Sequence, residues 1–578
     1  MLLFLAALGA FTQSSAATKV YTFDYGVYGL GSAGSVVSAL LRDLGHTVGG
    51  LDELAQNGGS TNTDNEGNDY GMIALINTTR ANQTGYPFEF NMNHGGMVGW
   101  VKRFAGEDNI QAFGPFGFGS PFFTADLNAN VGINFAGFSD PVDADDILWL
   151  ANYLETTYSD LNFQPGYPRN ISASLAMSFT DWINQDANLT RFKNMLTEAC
   201  RSGGLDPSKT PALYVLKEQA IYLRAAREGG WLFKVASGNQ DYYDGIREYV
   251  ESDAQSKFFF NAEVTHIILS NGGNGPVAVK FNYNGEKHIM HVGKLVWAIA
   301  PTPENFEIVT HLPTEISNAF ADMTVHPGFY TTKNRVLENI YGFPVVSMET
   351  LSNTDNFKYP TGNGVVEVYT RTAELFAGLV QTTEPMEIEE VSLIVANNFT
   401  QLANLPHGMT LQMEQIWHHK GYMAGFSIEK LQADPGIYGT IEDVLCLGGL
   451  VIIGRAIGYD DSTQIAEKTN QTLSRCLNLG TRRRSQTVPT TDDTTSDEKN
   501  NKQRWRRVMT ADMHAKIAAK NQRREAMLQR FAAEHNATAA YEHYNRTRAS
   551  NQGWHSSSFP GESHQDVKFK LWARFAHK

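Results

Sequence analysis

FDYGVYGLGSAGSVVSALLRDLGHTVGGLDELAQNGGST, residues Phe23 to Thr61, holds an apolar run, a glycine turn, a helical stretch, a second apolar run and an acidic end. Gly29, Gly31 and Gly34 form G-x-G-x-x-G directly after the run Tyr25–Tyr28. Ser35–Leu44 reads as a helix closed by Gly45, and Thr47–Leu51 as a second strand ending at Asp52 and Glu53. Glycine triplets at this spacing arise often by chance, so the triplet alone is weak. Between a strand and a helix, with an acid roughly 20 residues on, it reads as a dinucleotide site rather than an ordinary βα unit. The first glycine permits the tight turn, the second lets backbone amides approach a pyrophosphate, and the third allows close helix–strand packing. The helix N-terminus adds unpaired N–H groups and positive potential.

A chain of 578 residues is expected to fold as two or three domains. Its formal net charge of −14 argues against nucleic acid as the main partner. That charge is unevenly placed. From Thr481 onward there are 19 Lys+Arg against 10 Asp+Glu, a net +9, so the preceding 480 residues carry −23. An acidic globular body is joined to a basic tail. The opening MLLFLAALGAFTQSSAA, residues 1–17, reads as a signal peptide lacking a basic start, and its apolar run is too short to span a bilayer. No other stretch approaches transmembrane length. Asn77, Asn82, Asn170, Asn188, Asn398, Asn470, Asn536 and Asn545 sit in N-x-S/T sequons, compatible with passage through the secretory pathway. Cys200, Cys446 and Cys476 allow one disulfide but imply no framework and no zinc spacing.

Further along, Asp69-Tyr70-Gly71 leads into the apolar run Met72–Ile76, and a Gly/Asn/Phe-rich segment follows to about Asp140. Its Phe113, Phe116, Phe118, Phe122 and Phe123 read as core and turn packing ahead of a pocket lining. DADDILWLANYLETTY, from Asp143, is an amphipathic helix with an acidic start, and Leu213–Arg227 is another. This helical insertion reads as part of a substrate-capping domain. Strands are expected at Lys257–Phe260, Val264–Leu269, Val277–Tyr283, His288–Val292 and Leu295–Ala300, with a hairpin turn at Asn271–Gly275. Val444–Ile453 is a last apolar run, followed by a helix over Ser462–Leu477. From Gly480 the apolar periodicity ends and the chain reads as a disordered linker and solvated tail.

Several of these stretches converge. The unit around Gly29, the run Gly58-Gly59-Ser60-Thr61, and Asp69-Tyr70-Gly71 resemble the amine-oxidase superfamily of FAD enzymes. PALYVLK (Pro211–Lys217), GGWLFKVASGNQDYYDGI (Gly229–Ile246), NAEVTHI (Asn261–Ile267) and KLVWAIAPTPENF (Lys294–Phe306) resemble the branch that includes fungal beta-cyclopiazonate dehydrogenase. Gly436-Ile437-Tyr438 and DDSTQIAEKTNQTLSRCL (Asp460–Leu477) resemble its closing segments, so the resemblance spans roughly residues 20–480. It implies an α/β fold: a Rossmann-like FAD-binding domain of amine-oxidase/glutathione-reductase type, with a mixed α+β substrate domain and a helical insertion. The FAD-binding domain is then expected in three parts, 18–140, 251–310 and 436–480. The substrate domain takes 141–250 and 311–435, between the leader 1–17 and the tail 481–578.

The resemblance further implies FAD, with the amides around Gly29, Gly31, Ser32, Ala33 and Gly34 meeting its pyrophosphate. Asp52 takes the ribose hydroxyls, with Glu53 as the competing choice. Gly59, Ser60 and Thr61 lie along the ribityl and phosphate side, and Val264 pairs its backbone with the adenine. Gly449, Asp461 and Ser462 cover the flavin end. Where family members carry basic residues around the double glycine, this chain has Gln56, Asn57 and Ser60.

Oxidation of this kind needs a substrate C–H oriented against the flavin and, in some cases, a base. His419 in WHHKGY aligns best with a family histidine and suits proton removal if its pKa is near neutral; His418 is its neighbour. The competing reading is a packing histidine. Lys217 either holds a water near the flavin or is a solvated helix lysine, and His94 is a weaker candidate. No G-x-S-x-G, H-E-x-x-H or P-loop occurs. The expected activity is FAD-dependent oxidation of a small organic substrate in secondary metabolism, in a secreted or lumenal protein. The alternatives are an amine or prenylcysteine-type oxidase of the same fold, and a non-catalytic relative that acts by binding.

Overall fold

The computed structural model describes residues 18–70, 75–76, 96–113, 122–127, 131–136, 144–158, 161, 166–193, 196, 200–201, 203–227, 232–270, 276–350, 358–458 and 462–477. The leader, the tail, His94, Asp461, Phe116, Phe118, the turn Asn271–Gly275 and the sequons at Asn77, Asn82, Asn536 and Asn545 lie outside the described residues.

Strand β1 (Lys19–Tyr28) begins half-exposed and ends in three buried residues, Gly26 to Tyr28. A strand buried on both faces belongs in the middle of a sheet. It lies in an eight-stranded sheet of order β12 (Val309–Thr310), β9 (Glu263–Ile268), β10 (Val277–Tyr283), β11 (Glu286–Trp297), β1, β2 (Val48–Leu51), β8 (Lys257–Phe259), with β18 (Leu450–Ile452) also paired to β11. The β1–β2, β1–β11, β2–β8 and β11–β18 pairs are parallel, whereas β9, β10 and β11 form an antiparallel meander. Helix α1 (Ser32–Asp43) crosses from β1 to β2 and buries Ala33 to Leu41.

Two features of this sheet are set by local packing and turn geometry. Gly49 and Gly50 look like weak points in a buried strand, yet they make room for their neighbours. A Cβ on Gly49 would lie 2.6 Å from Met290 Sδ and overlap the Phe23 ring; one on Gly50 would lie 2.5 Å from the Phe258 ring and 2.8 Å from Leu30. Large side chains from β1, β8 and β11 fill the space the glycines leave. The expected strands His288–Val292 and Leu295–Ala300 are one continuous β11, entered through Asn284 (φ 52°) and Gly285 (φ 75°). Asn-Gly with both residues left-handed is the two-residue turn that matches strand twist, and it is the hairpin between β10 and β11.

The second body is built on a seven-stranded sheet of order β17 (Thr410–His418), β13 (Gly328–Glu338), β16 (Leu375–Thr382), β15 (Gly364–Thr370), β14 (Val345–Met348), β5 (Phe122–Asp126), β6 (Val131–Ala136). Helix Ile388–Asn404 covers it, burying Val391, Val395, Phe399 and Leu402 at helical spacing. Strands β5 and β6 fall within the span 18–140 assigned above to the nucleotide domain, but β5 pairs in parallel with β14. Phe123 and Ala125 are buried in the core that holds Phe343 and Val346, so side-chain burial places this segment in the second sheet. A small sheet of β3 (Leu75–Ile76), β7 (Leu232–Val235) and β4 (Ile110–Phe113) completes the strands. Helices Ala144–Thr157, Phe179–Asn184, Ala187–Thr190 and α2 (Ala212–Arg227) form the helical insertion. Helix α3 (Gln240–Glu251) returns the chain to the nucleotide sheet.

Val444–Ile453, one apolar run in the sequence, divides in three. It ends helix α4 (Ile437–Val444), turns through Gly448 (φ 69°) and Gly449 (φ 82°), and enters β18. Two successive left-handed residues are cheap only for glycine. Cys446 is disulfide-bonded to Cys476 at the end of helix α5 (Ser462–Cys476), and Cys200 is buried outside that bridge. The bridge closes a loop with a sequence separation of 30. Restricting that loop in the unfolded chain contributes about 3–4 kcal/mol. Cys446→Ala with Cys476→Ala is therefore expected to lower the urea midpoint clearly, and an unchanged midpoint would show that the loop constraint contributes nothing.

Candidate nucleotide and redox site

The site is built at the C-terminal ends of the parallel strands, where open α/β sheets bind ligands. Gly29 (φ 92°) leaves β1 with its N–H donated to the Leu51 carbonyl at 2.9 Å. A Cβ on Gly34 would run into the Gly29 carbonyl oxygen, so this position must be glycine. Gly31 is the N-cap of α1 and offers no side-chain cap. A helix start without a side-chain cap is of the kind that suits an anion.

A second glycine turn closes on the first. Gly58 (φ 101°) donates its N–H to the Leu30 carbonyl at 2.8 Å and pairs with Gly31 as an isolated bridge. A Cβ on Gly59 (φ 62°) would lie 3.0 Å from Gly31 Cα. Backbone therefore comes close to backbone, and the positive φ of Gly59 favours glycine on its side of the contact. Ser60 is exposed, and Thr61 is fully buried with its Oγ1 unpaired among the described residues.

The sequence leaves Asp52 and Glu53 as rival ribose acids. Asp52 is buried, and its carboxylate accepts from Leu30 N–H at 2.5 Å and Leu54 N–H at 2.8 Å; Glu53 is exposed. Burial raises the Asp52 pKa to about 6 despite those two amides, and burial likewise raises Asp69 to about 6. Asp69 accepts from Thr63 Oγ1 at 2.6 Å and Asn239 N–H at 2.9 Å. Past β8 the chain runs beside Asp52, whose carbonyl accepts from Ala262 N–H at 2.9 Å, and Val264 follows two residues on with its side chain buried.

Gly29, Gly31, Ser32, Ala33, Gly34, Asp52, Glu53, Gly59, Ser60 and Thr61 thus gather at one end of the sheet, with Val264 at its flank. Gly449 does not join them. It accepts from Leu295 N–H at 3.0 Å at the N-terminal end of β18, the far end of a parallel strand. The residue at the near end is Gly454 (φ 106°), where an added Cβ would lie 3.9 Å from Ala33 Cβ. The rule that ligands sit at strand C-termini would have selected Gly454 from the sequence. Ser462 opens α5.

The two proposed catalytic residues lie on or next to other elements. Lys217, on α2, is 1% exposed and donates to the Leu161 carbonyl at 2.9 Å, which excludes a solvated helix lysine. His419 is buried, hydrogen-bonded through Nε2 to Thr331 Oγ1 at 2.8 Å, and packed near Phe329 and Tyr422. Burial lowers its pKa to about 3, helped by the charges of Arg455 and His418. A histidine so far below neutrality does not fit a base titrating near pH 7, so the packing reading is the better one. Burial, with Arg455, also lowers His326 to about 4.

These histidines surround groups the sequence reading missed. The Tyr422 ring stacks on Phe329 with centroids 4.0 Å apart, and the guanidinium of Arg455, next to Gly454, lies 3.6 Å from the Tyr422 centroid. Lys333 on β13 reaches Asp64 at 3.0 Å and ties the loop after Thr61 to the second sheet. No local motif marks these contacts, because each joins residues far apart in the chain.

A histidine kept neutral in the fold stabilises it above the unfolded pKa of 6.5, and that stability is lost as pH falls through the folded value. Asp52 and Asp69 act in the opposite sense: protonation favours the fold, fully below 3.8 and no longer above about 6. His419→Gln is therefore expected to lose less stability than the parent between pH 6.5 and 4 in denaturant titrations. Identical pH profiles for the two proteins would contradict the burial of a neutral imidazole.

Among the described residues no His/Cys/Asp/Glu group is placed to hold a metal, and no helix is long and apolar enough to cross a membrane. No family model matches the sequence, and no curated protein matches it. Solved structures do. A CLA-producing fatty acid isomerase from P. acnes superposes with a TM-score of 0.58 at 16% identity, covering 78% of this chain and 98% of its own. Wild-type putrescine oxidase bound to putrescine gives 0.50 at 16% identity, covering 79% and 100%. Cyclohexylamine oxidase from Brevibacterium oxydans IH-35A gives 0.50 at 14%, covering 79% and 99%. The chain shares the mixed α/β fold of these structures.

Proposed function

We propose that the protein binds FAD along the C-terminal edge of the nucleotide sheet and is an FAD-dependent oxidoreductase acting on a small organic substrate. The observation that carries this reading is the closure of two glycine turns, backbone against backbone, over the uncapped start of α1. The fully buried Thr61 hydroxyl, unpaired among the described residues, adds a polar group suited to a polar ligand there. The residues present fit the cofactor. Backbone N–H groups at the start of α1 would hold its pyrophosphate. Asp52 would accept its ribose hydroxyls, and the backbone of Val264 would meet the adenine. Gly454 leaves the third strand end open to it. Bound there, FAD supplies a hydride acceptor.

The chain's own part is binding, orientation and exclusion of water. The Phe329–Tyr422 stack and Arg455 wall the second body near Gly454. His419 and His326, both neutral at physiological pH, hold shape and hydrogen bonds there rather than taking a proton. The fold of putrescine and cyclohexylamine oxidases supports the amine-oxidase variant of this reading; peroxide release on panels of amines and thioethers tests it. A role in secondary metabolism rests on the sequence resemblance alone.

We place the protein in the secretory pathway or outside the cell. The leader-like opening, the Cys446–Cys476 bridge and the exposed sequons Asn170 and Asn188 support this. Asn470, 2% exposed on α5, is not a glycan site in the folded protein. The deciding experiment is the absorbance spectrum of purified protein before and after titration with FAD. A flavin spectrum is expected. Protein that carries no flavin and takes none up would leave the binding-only relative as the correct reading.

A further inference from the structure

Arg371 opens the hairpin between β15 and β16, where its backbone N–H donates to the Leu375 carbonyl at 2.8 Å. Its guanidinium lies over the Tyr369 ring, 4.2 Å from the centroid. Nε and Nη2 of that guanidinium are buried and have no hydrogen-bond partner among the described residues. A buried charged donor left unmet is costly, and such an edge calls for a group from outside the chain. Tyr369 is 4% exposed and shares one buried cluster with Tyr70, Phe329 and Tyr422. Arg371 thus adjoins the aromatic wall that Arg455 meets at Tyr422. Asp69 stands near but does not bond this edge: it accepts from Thr63 and Asn239 on Oδ1, and its Oδ2 is unpaired among the described residues. Burial raises the Asp69 pKa, and the charges of Lys234 and Arg371 are among the influences that lower it. Asp64, the next acid along that loop, is held by Lys333 at 3.0 Å.

We propose that Arg371 is a specificity-determining residue whose Nε–Nη2 edge receives a carboxylate carried by the substrate, so that the protein takes organic acids ahead of their neutral analogues. Nε and Nη2 on one edge of a guanidinium present two parallel N–H groups, the spacing that a carboxylate accepts bidentately. Both bonds are charge-assisted, and burial makes them count for more than they would in water. The stack on Tyr369 and the backbone bond to Leu375 hold the fork in place, so little freedom is lost when an acid arrives. The aromatic cluster beside it suits an apolar body attached to that carboxylate. This assignment rests on the reading of the protein as an oxidoreductase of a small organic substrate, and it names that substrate's charged group.

The test titrates the full-length protein by calorimetry with phenylacetate and with phenylacetamide, a neutral analogue of the same size, so that binding is read without turnover. Arg371→Met is expected to weaken phenylacetate about tenfold or more, the loss of a bidentate bond to a charged group, and to leave phenylacetamide unchanged. Arg371→Lys keeps a cation over Tyr369 but not the fork. It guards against a folding defect in the methionine variant and should recover only part of the affinity for the acid. Phenylacetate that binds the parent no better than phenylacetamide would overturn the proposal, as would equal losses of the two compounds or full affinity for the acid in Arg371→Met. The FAD titration described above is read separately. Selective acid binding in a protein that takes up no flavin would remove the FAD reading and leave Arg371 as an acid-binding residue. A flavin-loaded protein whose Arg371→Met form binds phenylacetate as the parent does would remove this assignment alone.

Discussion

Gly34→Ala is expected to abolish flavin retention and to lower stability by about 3 kcal/mol or more. The added methyl falls on the Gly29 carbonyl oxygen and comes within 3.2 Å of Val27 Cγ1, so α1 cannot keep its approach to β1. The obstacle is backbone, which no rotamer change relieves. Gly31→Ala provides the contrast. Its Cβ would lie 3.7 Å from Gly59 Cα, an ordinary contact, and Gly31 has a φ of −63° that alanine tolerates. That variant is expected to keep its denaturation midpoint while losing flavin, because the methyl occupies the approach of the phosphate rather than protein. Two variants with matched midpoints would refute the packing argument. A Gly31→Ala protein with full flavin content would refute the placement of the ligand.

Glu442→Ala is expected to cost about 3–5 kcal/mol, the usual loss when one partner of a buried ion pair is removed. Glu442 on α4 pairs with Lys468 on α5, whose side chain is 5% exposed, and with Arg475 at 3.0 Å. Burial already lowers the Lys468 pKa, and only the Glu442 carboxylate opposes it. Without that carboxylate the ammonium is stranded against Gly166 and Gln471. Lys468→Met in the Glu442→Ala background should recover much of the loss, since a buried charge then disappears with its partner. Equilibrium denaturation of the single and double variants measures this. A single-variant loss below about 1 kcal/mol would class the pair with weak surface ion pairs.

The opening unit was legible from Phe23 to Thr61 because its determinants are local. A glycine triplet after an apolar run dictates a tight turn and a close helix, and the periodicity of Ser35–Leu44 dictates which helix face is buried. The observed α1 starts three residues earlier, at Ser32, since the turn itself supplies the first N–H groups. The helical insertion and the β9–β10–β11 meander were legible for the same reason. His419 and Lys217 were visible as residue types, but their environments were not. Their pairing with Thr331 and with the Leu161 carbonyl spans 88 and 56 residues of sequence, and burial, which sets the His419 pKa, has no local signature.

The sequence by itself determined that a dinucleotide-binding βαβ unit opens the chain, and that a double glycine follows its acidic strand end. Steric exclusion makes those statements, because few residues other than glycine fit such backbone geometry. Tertiary structure alone decided the rest. It buried the Asp52 carboxylate on two amides while leaving Glu53 exposed, and moved Phe122–Asp126 and Val131–Ala136 into the second sheet. It put Gly454 rather than Gly449 at the crevice, and brought Tyr243 to Ser32 across 211 residues. Each of those outcomes depends on which surfaces meet when the sheets close, and no window of sequence contains both surfaces.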